Sequence, residues 1–282
     1  MKKYLLIFSL IFLTNCSINK MVIKSASGFM DSGQTVLYRE GDLSIAEHFL
    51  ANNLKTIEIL LEKNPNNHEL NILASQGFGA YAMGFIEEKD MFAASKLYLR
   101  GVNYGMKALP KDKKFTYTTT TKELEVILHK YSNEEIPSLF WTGYNWGLYV
   151  LQNLDKPESL INLAKVELIM RRCLELDESY YFYSVDIFYG AYYAARPRML
   201  GGNPEKGQNF FLNNIKMNKN IIIGKVYYAQ YYALQTYNEE LFDHLIKEVL
   251  EFDLEQNPDY RLLNAIAQKK AQILKENKSD YF

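Results

Sequence analysis

The sequence predicts an all-α fold, and three observations carry that reading. Apolar residues recur every three or four positions in one segment after another. Alternation of apolar and polar residues over strand-like lengths is scarce. Prolines stand at the starts and ends of the periodic segments. Leu43, Ala46, Leu50, Leu54, Ile57 and Leu61 form the first stripe, which stops at Asn64-Pro65 because proline disfavours helix for the residue before it. A second runs through Leu70, Leu73, Ala74, Phe78, Tyr81, Ala82 and Phe85. A third, from Phe92 to Leu109, is closed by Pro110. Leu124, Ile127, Leu128 and Tyr131 make a short fourth, with threonine-rich Thr118–Thr121 leading into it. Leu139 to Leu151 make the fifth. Pro157 opens the next helix, since a first-turn proline gives up no helical hydrogen bond. Further helices are expected over Tyr180–Ala195, Pro204–Met217, Ile221–Tyr237, Glu239–Phe252 and Pro258–Lys275.

The helices are expected to pair. Small residues spaced i, i+4 (Ala80/Gly84, Gly143/Gly147, Gly190/Ala194, Ala229/Ala233) would let a neighbouring helix approach closely. Segment ends such as Leu61-Glu62-Lys63-Asn64-Pro65-Asn66 resemble the close of a tetratricopeptide unit. The regular period of about 34 residues is not kept. The chain therefore reads as a single domain of degenerate, tetratricopeptide-like helical repeat over residues 42–282, a solenoid or closed bundle.

The N-terminus directs the chain elsewhere than the cytoplasm. Met1-Lys2-Lys3 is followed by a short apolar run from Tyr4 to Leu13 and then Cys16. The run is too short for a membrane span, which needs about 20 residues, and fits a signal peptide over residues 1–15. Leu13-Thr14-Asn15-Cys16 resembles the lipobox of bacterial lipoproteins, with Asn15 where Gly, Ala or Ser is usual. Cys16 is the expected lipidation site, residues 16–41 the tether, and a membrane facing the periplasm the expected location. Enzymes that use ATP or NAD are disfavoured there.

Composition excludes other classes. Without residues 1–15 the formal charge is −3, so no basic stripe for nucleic acid exists. Cys16 and Cys173 are the only cysteines, which leaves no intrachain disulfide if Cys16 is lipidated, and Cys173 reads as a buried helix position. His48, His68, His129 and His244 lack metal-ligand spacing. Gly77-x-Gly79-x-x-Ala82 lies inside a helical stripe with no strand before it, so it fails as a dinucleotide site and suits close helix packing. Glu87/Glu88, Glu134/Glu135 and Glu239/Glu240 read as helix-start acids favoured by the macrodipole. No nucleophile–base pattern is present; no enzyme activity, cofactor or metal is expected.

What remains is aromatic. The chain holds 22 Tyr, 16 Phe and 2 Trp. Three clusters stand out: Phe140-Trp141 with Tyr144 and Trp146, Tyr189 with Tyr192 and Tyr193, and Tyr227-Tyr228 with Tyr231-Tyr232. Tyr189, Tyr193 and Arg196 share one helix face, while Phe188, Ala191, Tyr192 and Ala195 form a neighbouring one. Pro197 ends that helix, Gly201-Gly202 allows a tight turn, Asn203 can cap the next helix and Pro204 takes its first position. Arg196 and Arg198 can bind a carboxylate or cap helix carbonyls. The clusters either line a concave inner face or fill the core. If they line a cleft, its candidate ligand-binding residues are Trp141, Tyr144, Tyr189, Tyr193, Arg196, Arg198, Tyr228 and Tyr232.

On the lipobox, Asn64-Pro65-Asn66, Phe140-Trp141-x-Gly143-x-x-Trp146, Tyr189-Gly190, Arg196-Pro197 and Leu200-Gly201-Gly202-Asn203-Pro204-Glu205-Lys206, the chain resembles the T-component lipoproteins of TRAP transporters, from about Asp42 to Leu274. The resemblance implies an all-helical, membrane-anchored periplasmic lipoprotein that forms homo-oligomers, as trimers. It implies a partner in the extracytoplasmic solute-binding protein of the transporter, and a small hydrophobic, acidic ligand held in a cleft or pore. The alternative is a structural tetratricopeptide-like lipoprotein that scaffolds assembly in the cell envelope.

Overall fold

The computed structural model describes residues 33–154 and 156–282, which are helical with no strand among them. The signal peptide, Cys16 and residues 17–32 of the tether lie outside the described residues. Residues 33–41, which composition places in the tether, hold a helical turn at 33–38 laid against the body. Leu37 packs beside Ala46 and Phe85, and the Tyr38 and Tyr181 hydroxyls are 3.1 Å apart.

The helices start and stop where local chemistry directs. Helix α1 (Leu43–Lys63) is capped by Asp42, which accepts from the backbone N–H of Ser44 and Ile45. Helix α2 (His68–Tyr81) runs without a break into a π-helical segment, Ala82–Ile86. Then follow α3 (Met91–Ala108) and α4 (Thr121–Leu128), the latter with a capping box between Thr120 and Glu123. Helices α5 (Ile136–Leu151) and α6 (Pro157–Leu176) carry proline in the first turn. Next come α7 (Tyr180–Ala194) and α8 (Pro204–Met217), with Asn203 as cap and Pro204 in the first turn. Short α9 (Ile223–Tyr228) continues into a second π-helical segment, Ala229–Ala233. Helices α10 (Glu239–Leu250) and α11 (Arg261–Glu276) complete the chain.

Neighbouring helices pack in succession, and α11 closes the array on its beginning. Leu262 and Ile266 of α11 join Ala46 of α1 and Phe85 in one apolar cluster. Lys270 of α11 lies against Glu88, with Glu87 at 3.5 Å. That pairing corrects one expectation. Glu87 and Glu88 follow the first π-segment at the end of a helix, and α11 supplies their counter-charge. Helix lengths vary too much for a regular repeat. Cys173 is buried and free, as its position in the α6 stripe predicts.

One polar side chain locks α2, α3 and α5 together. The Asn145 amide of α5 is fully buried and donates to the Ser75 carbonyl of α2 at 3.0 Å, while the Ser75 hydroxyl donates to the Gly101 carbonyl of α3 at 2.8 Å. A Cβ on Gly79 or Gly101 would fall 2.6 Å from that amide, so only glycine lets the three backbones meet there. The dinucleotide-like Gly77-x-Gly79 spacing is thus a packing device.

Two predictions follow from this core. Asn145→Ala removes the junction's donor and leaves a void, and should cost about 2 kcal/mol in urea unfolding. The second concerns Asp186 of α7, which is 2% exposed and accepts from the Asn213 amide of α8 at 2.7 Å. Burial pushes its carboxyl up to about 6, and Glu178 adds to the rise. The folded value lies above the unfolded one, so the folded protein keeps this proton longer. Stability should fall as pH rises from about 4 to about 6 and then level. Asp186→Asn should flatten that slope and stabilise the protein near neutral pH by roughly 2 kcal/mol, measured by thermal unfolding across the range.

Candidate functional site

The helices enclose a hollow of about 600 Å³. Its wall comes from α5 (Tyr144, Gly147, Leu148), α6 (Leu163, Met170), α7 (Ile187, Phe188, Ala191, Tyr192), α9 (Ile223, Tyr227) and α11 (Leu263, Ile266). Each π-segment contributes one wall residue, Met83 from the first and Tyr231 from the second. An extra residue per turn in a π-segment re-aims side chains, and such bulges recur at binding sites. The mouth is marked by exposed apolar residues: Leu154 at 49% and Leu200 at 62%, with Met199 beside them at 89%.

The start of α7 shapes the floor. Tyr181, Phe182 and Tyr183 take left-handed conformations, with φ of 45°, 62° and 55°. Such geometry costs an L-residue about 1–2 kcal/mol. Asparagines from α8 and its end hold it: Asn214 Nδ2 donates to the Phe182 and Tyr183 carbonyls at 3.2 and 2.9 Å, and Asn218 donates to Phe182. The reversed turn places Tyr181 and Phe182 in the wall, with Asn214 and Asn218 beside them. Tyr181 is backed by Trp141, ring centres 4.6 Å apart, and Phe182 meets Tyr260 edge to face at 5.3 Å.

Of the eight residues put forward from the sequence, Tyr144 and Arg196 line the hollow. Trp141, 2% exposed, stands behind the wall. Tyr189 and Tyr193 face the other side of α7 and stack on Phe210 at 5.1 and 6.0 Å. The Tyr189 hydroxyl donates to Glu167, and Tyr193 accepts from Lys206 at 2.8 Å. Tyr228 packs on Phe211 and accepts from Gln208 at 2.7 Å, and Tyr232 lies 5.1 Å from Tyr228. Arg198 is exposed and pairs with Glu205 at 2.6 Å. The faces that do reach the hollow are the adjacent ones: Phe188, Ala191, Tyr192 and Ala195 on α7, and Tyr227 and Tyr231.

Arg196 is the one cation among the described lining residues, and it caps. Its Nε donates to the Tyr192 carbonyl at 2.7 Å, Nη2 donates to the Gly201 carbonyl at 3.2 Å, and the guanidinium lies 3.5 Å over the Tyr192 ring. Gly201 reaches its place with φ of 83°, the left-handed value that favours glycine. The guanidinium also interacts with the Tyr192 hydroxyl, and the residue stands in the wall at the mouth. Among the described residues the wall holds no Asp, Glu, His, Cys or Lys, and the one lining hydroxyl outside the tyrosines, Ser184, donates to the Tyr181 carbonyl. No group of three or more His, Cys, Asp or Glu among the described residues is arranged to hold a metal ion.

Fold and hollow together define the class: an all-helical protein closed around a ligand-sized apolar chamber, with tyrosines and one arginine among its few polar groups. Residues 39–282 match the TRAP transporter T-component family, and the chain belongs to it. Membership gives it an accessory role in a TRAP transport system and so a place at a membrane. No helix among the described residues is long and apolar enough to cross one. An uncharacterized protein of Treponema pallidum (strain Nichols) is 26% identical over 267 residues, covering 88% of this chain and 82% of that protein.

The reversed turn yields a prediction. Asn214→Ala strips the Phe182 and Tyr183 carbonyls of their amide and should cost about 2–3 kcal/mol. Hydrogen exchange should rise first at residues 180–184, before the helices around them loosen.

Proposed function

We propose that this protein is a non-enzymatic lipoprotein accessory of a TRAP-type transport system. Anchored through Cys16 on a membrane facing the periplasm, it docks the extracytoplasmic solute-binding protein and holds a small, largely apolar ligand between its helices. The observation that carries this reading is the hollow itself. Its volume, about 600 Å³, falls within the range of small-molecule sites, and its wall is mainly Leu, Ile, Met and aromatic rings. A scaffold that only binds peptide segments needs no such void, and an interior without one would pack to crystal-like density.

The mouth supports docking. Leu154 and Leu200 are apolar and open to solvent at its rim, and exposed Met199 adjoins Leu200 in the chain, where a partner would cover them. An acidic group on the ligand would meet Arg196 there. Arg198 is drawn off by Glu205. Assembly as a homotrimer belongs to the same proposal and would show in sedimentation equilibrium.

Two measurements test the reading. Affinity purification from the native membrane should recover a solute-binding protein; repeated recovery of none would remove the docking half. N-phenyl-1-naphthylamine, an apolar fluorophore, should brighten on binding. Ala191→Trp, which puts an indole into the chamber, should weaken that binding at least about tenfold while leaving the unfolding midpoint near the parent's. Equal binding by the filled variant would place the probe elsewhere.

A further inference from the structure

The inner end of the hollow carries a second set of polar groups. Tyr144 comes from α5, Tyr227 from α9 and Tyr231 from the second π-segment, and all three line the hollow. The Tyr227 and Tyr231 rings stack with centres 5.9 Å apart, and Tyr144 lies within electrostatic reach of both. The three residues keep accessible surface although they lie deep among protein atoms, because that surface faces the chamber.

Their hydroxyls differ from those of several other tyrosines held inside the protein. Tyr98 donates to Glu87, Tyr131 to the Lys113 carbonyl and Tyr189 to Glu167; Tyr228 accepts from Gln208, and Tyr38 pairs with Tyr181. Tyr144, Tyr227 and Tyr231 have no hydrogen-bond partner among the described residues, yet their hydroxyl oxygens are not sealed off. Three phenols from three elements thus converge on one space with their donors and acceptors unspent. A phenol deep in a protein is costly unless its hydroxyl is satisfied. Here only an occupant of the chamber can satisfy it.

The surroundings select the charge of that occupant. Among the described residues no cation lines this end. Lys269 and Lys270 are engaged by Glu88, and Lys270 also by Glu87. Burial, with Glu87 adding to it, pushes all three phenols upward, so they stay neutral. Neutral phenols can donate to a hydroxyl or carbonyl oxygen and accept from a hydroxyl hydrogen.

We infer that Tyr144, Tyr227 and Tyr231 form an inner polar subsite that takes the uncharged hydroxyl or carbonyl head of an otherwise apolar ligand, separate from the Arg196 mouth. This rests on the reading of the hollow as a ligand chamber. It assigns the two polar ends different tasks: the phenols bind an uncharged head, and Arg196 meets an anion.

The test uses the mature chain, residues 16–282, with Cys16→Ser to leave the lipid off, and N-phenyl-1-naphthylamine as reporter. The competitors are 1-decanol, decanoate and decylamine. The triple variant Tyr144→Phe, Tyr227→Phe, Tyr231→Phe keeps the rings and removes the hydroxyls. It should weaken 1-decanol about tenfold or more while leaving the reporter and decanoate within about twofold. Arg196→Gln should do the reverse, weakening decanoate and sparing 1-decanol. The single Tyr→Phe variants should each weaken 1-decanol by a smaller factor, which keeps the test decisive if the triple variant folds poorly. Unchanged 1-decanol affinity in the Phe variants would overturn the subsite and leave the chamber standing. So would an equal loss of decanoate, or decylamine binding more tightly than 1-decanol. Failure of the parent protein to bind the reporter or any competitor would overturn the chamber reading, and the subsite with it.

Discussion

The chamber depends on three residues that run the wrong way. Had Tyr181, Phe182 and Tyr183 continued as a right-handed turn, their rings would follow the α7 surface. In left-handed geometry Tyr181 and Phe182 instead form part of the wall. Three non-glycine residues in that region persist only when their surroundings over-determine them. Here the surroundings are identifiable. The Asn214 amide spans two carbonyls of the turn, Asn218 reinforces one, Trp141 braces Tyr181, and the Tyr38 hydroxyl reaches Tyr181 from the N-terminal turn. Strain is held at the floor of the site by residues from α5, α8 and the segment before α1.

Helix α5 does the complementary work. Its buried side carries Asn145, wedged between α2 and α3 where Gly79 and Gly101 leave room for nothing larger. Tyr144 and Gly147 are turned toward the chamber. Fixing Asn145 fixes the rotation of the helix, and the rotation sets where the Tyr144 hydroxyl stands. On the far side α11 plays the same part for the first π-segment. Ile266 would lie 3.0 Å from a Cβ on Gly84, and the Lys270–Glu88 pair holds the segment's end. Met83 and Ile266 therefore meet across the chamber only because the array closes.

Much of this was legible in the amino-acid order, and the rest failed for physical reasons. Stripes and prolines placed the helices, because a period near 3.6 and the loss of an N–H are local properties. The cap at Asn203 and the positive φ at Gly201 followed from side-chain chemistry alone. Which face of α7 meets the hollow did not. That helix is apolar on most sides, so the Tyr189/Tyr193 face and the Phe188/Ala191/Tyr192 face have equal claims until α8 arrives with Phe210 and covers the first. The choice between Tyr228/Tyr232 and Tyr227/Tyr231 was the same tie, broken by Phe211 and Gln208. Periodicity cannot see the reversed turn either: Tyr-Tyr-Phe-Tyr holds no glycine to announce positive φ, and the asparagines that sustain it stand more than thirty residues away.

The placement of arginine and tyrosine shows how one chamber can be apolar and still selective. Arg196 has two of its five N–H donors committed to the helix end and the following loop, so it stays fixed at the rim where water keeps its desolvation cost low. A guanidinium deep in the chamber would need a carboxylate beside it, and that pair would exclude an apolar ligand when the site is empty. Phenols avoid the difficulty. They are neutral, present a ring to the apolar body of a ligand and a hydroxyl to its head, and cost little conformational entropy to hold in place. A transport accessory must release what it holds. Hydrogen bonds from neutral groups, spread over three side chains, give direction to a bound molecule without the deep electrostatic well that a buried ion pair would create.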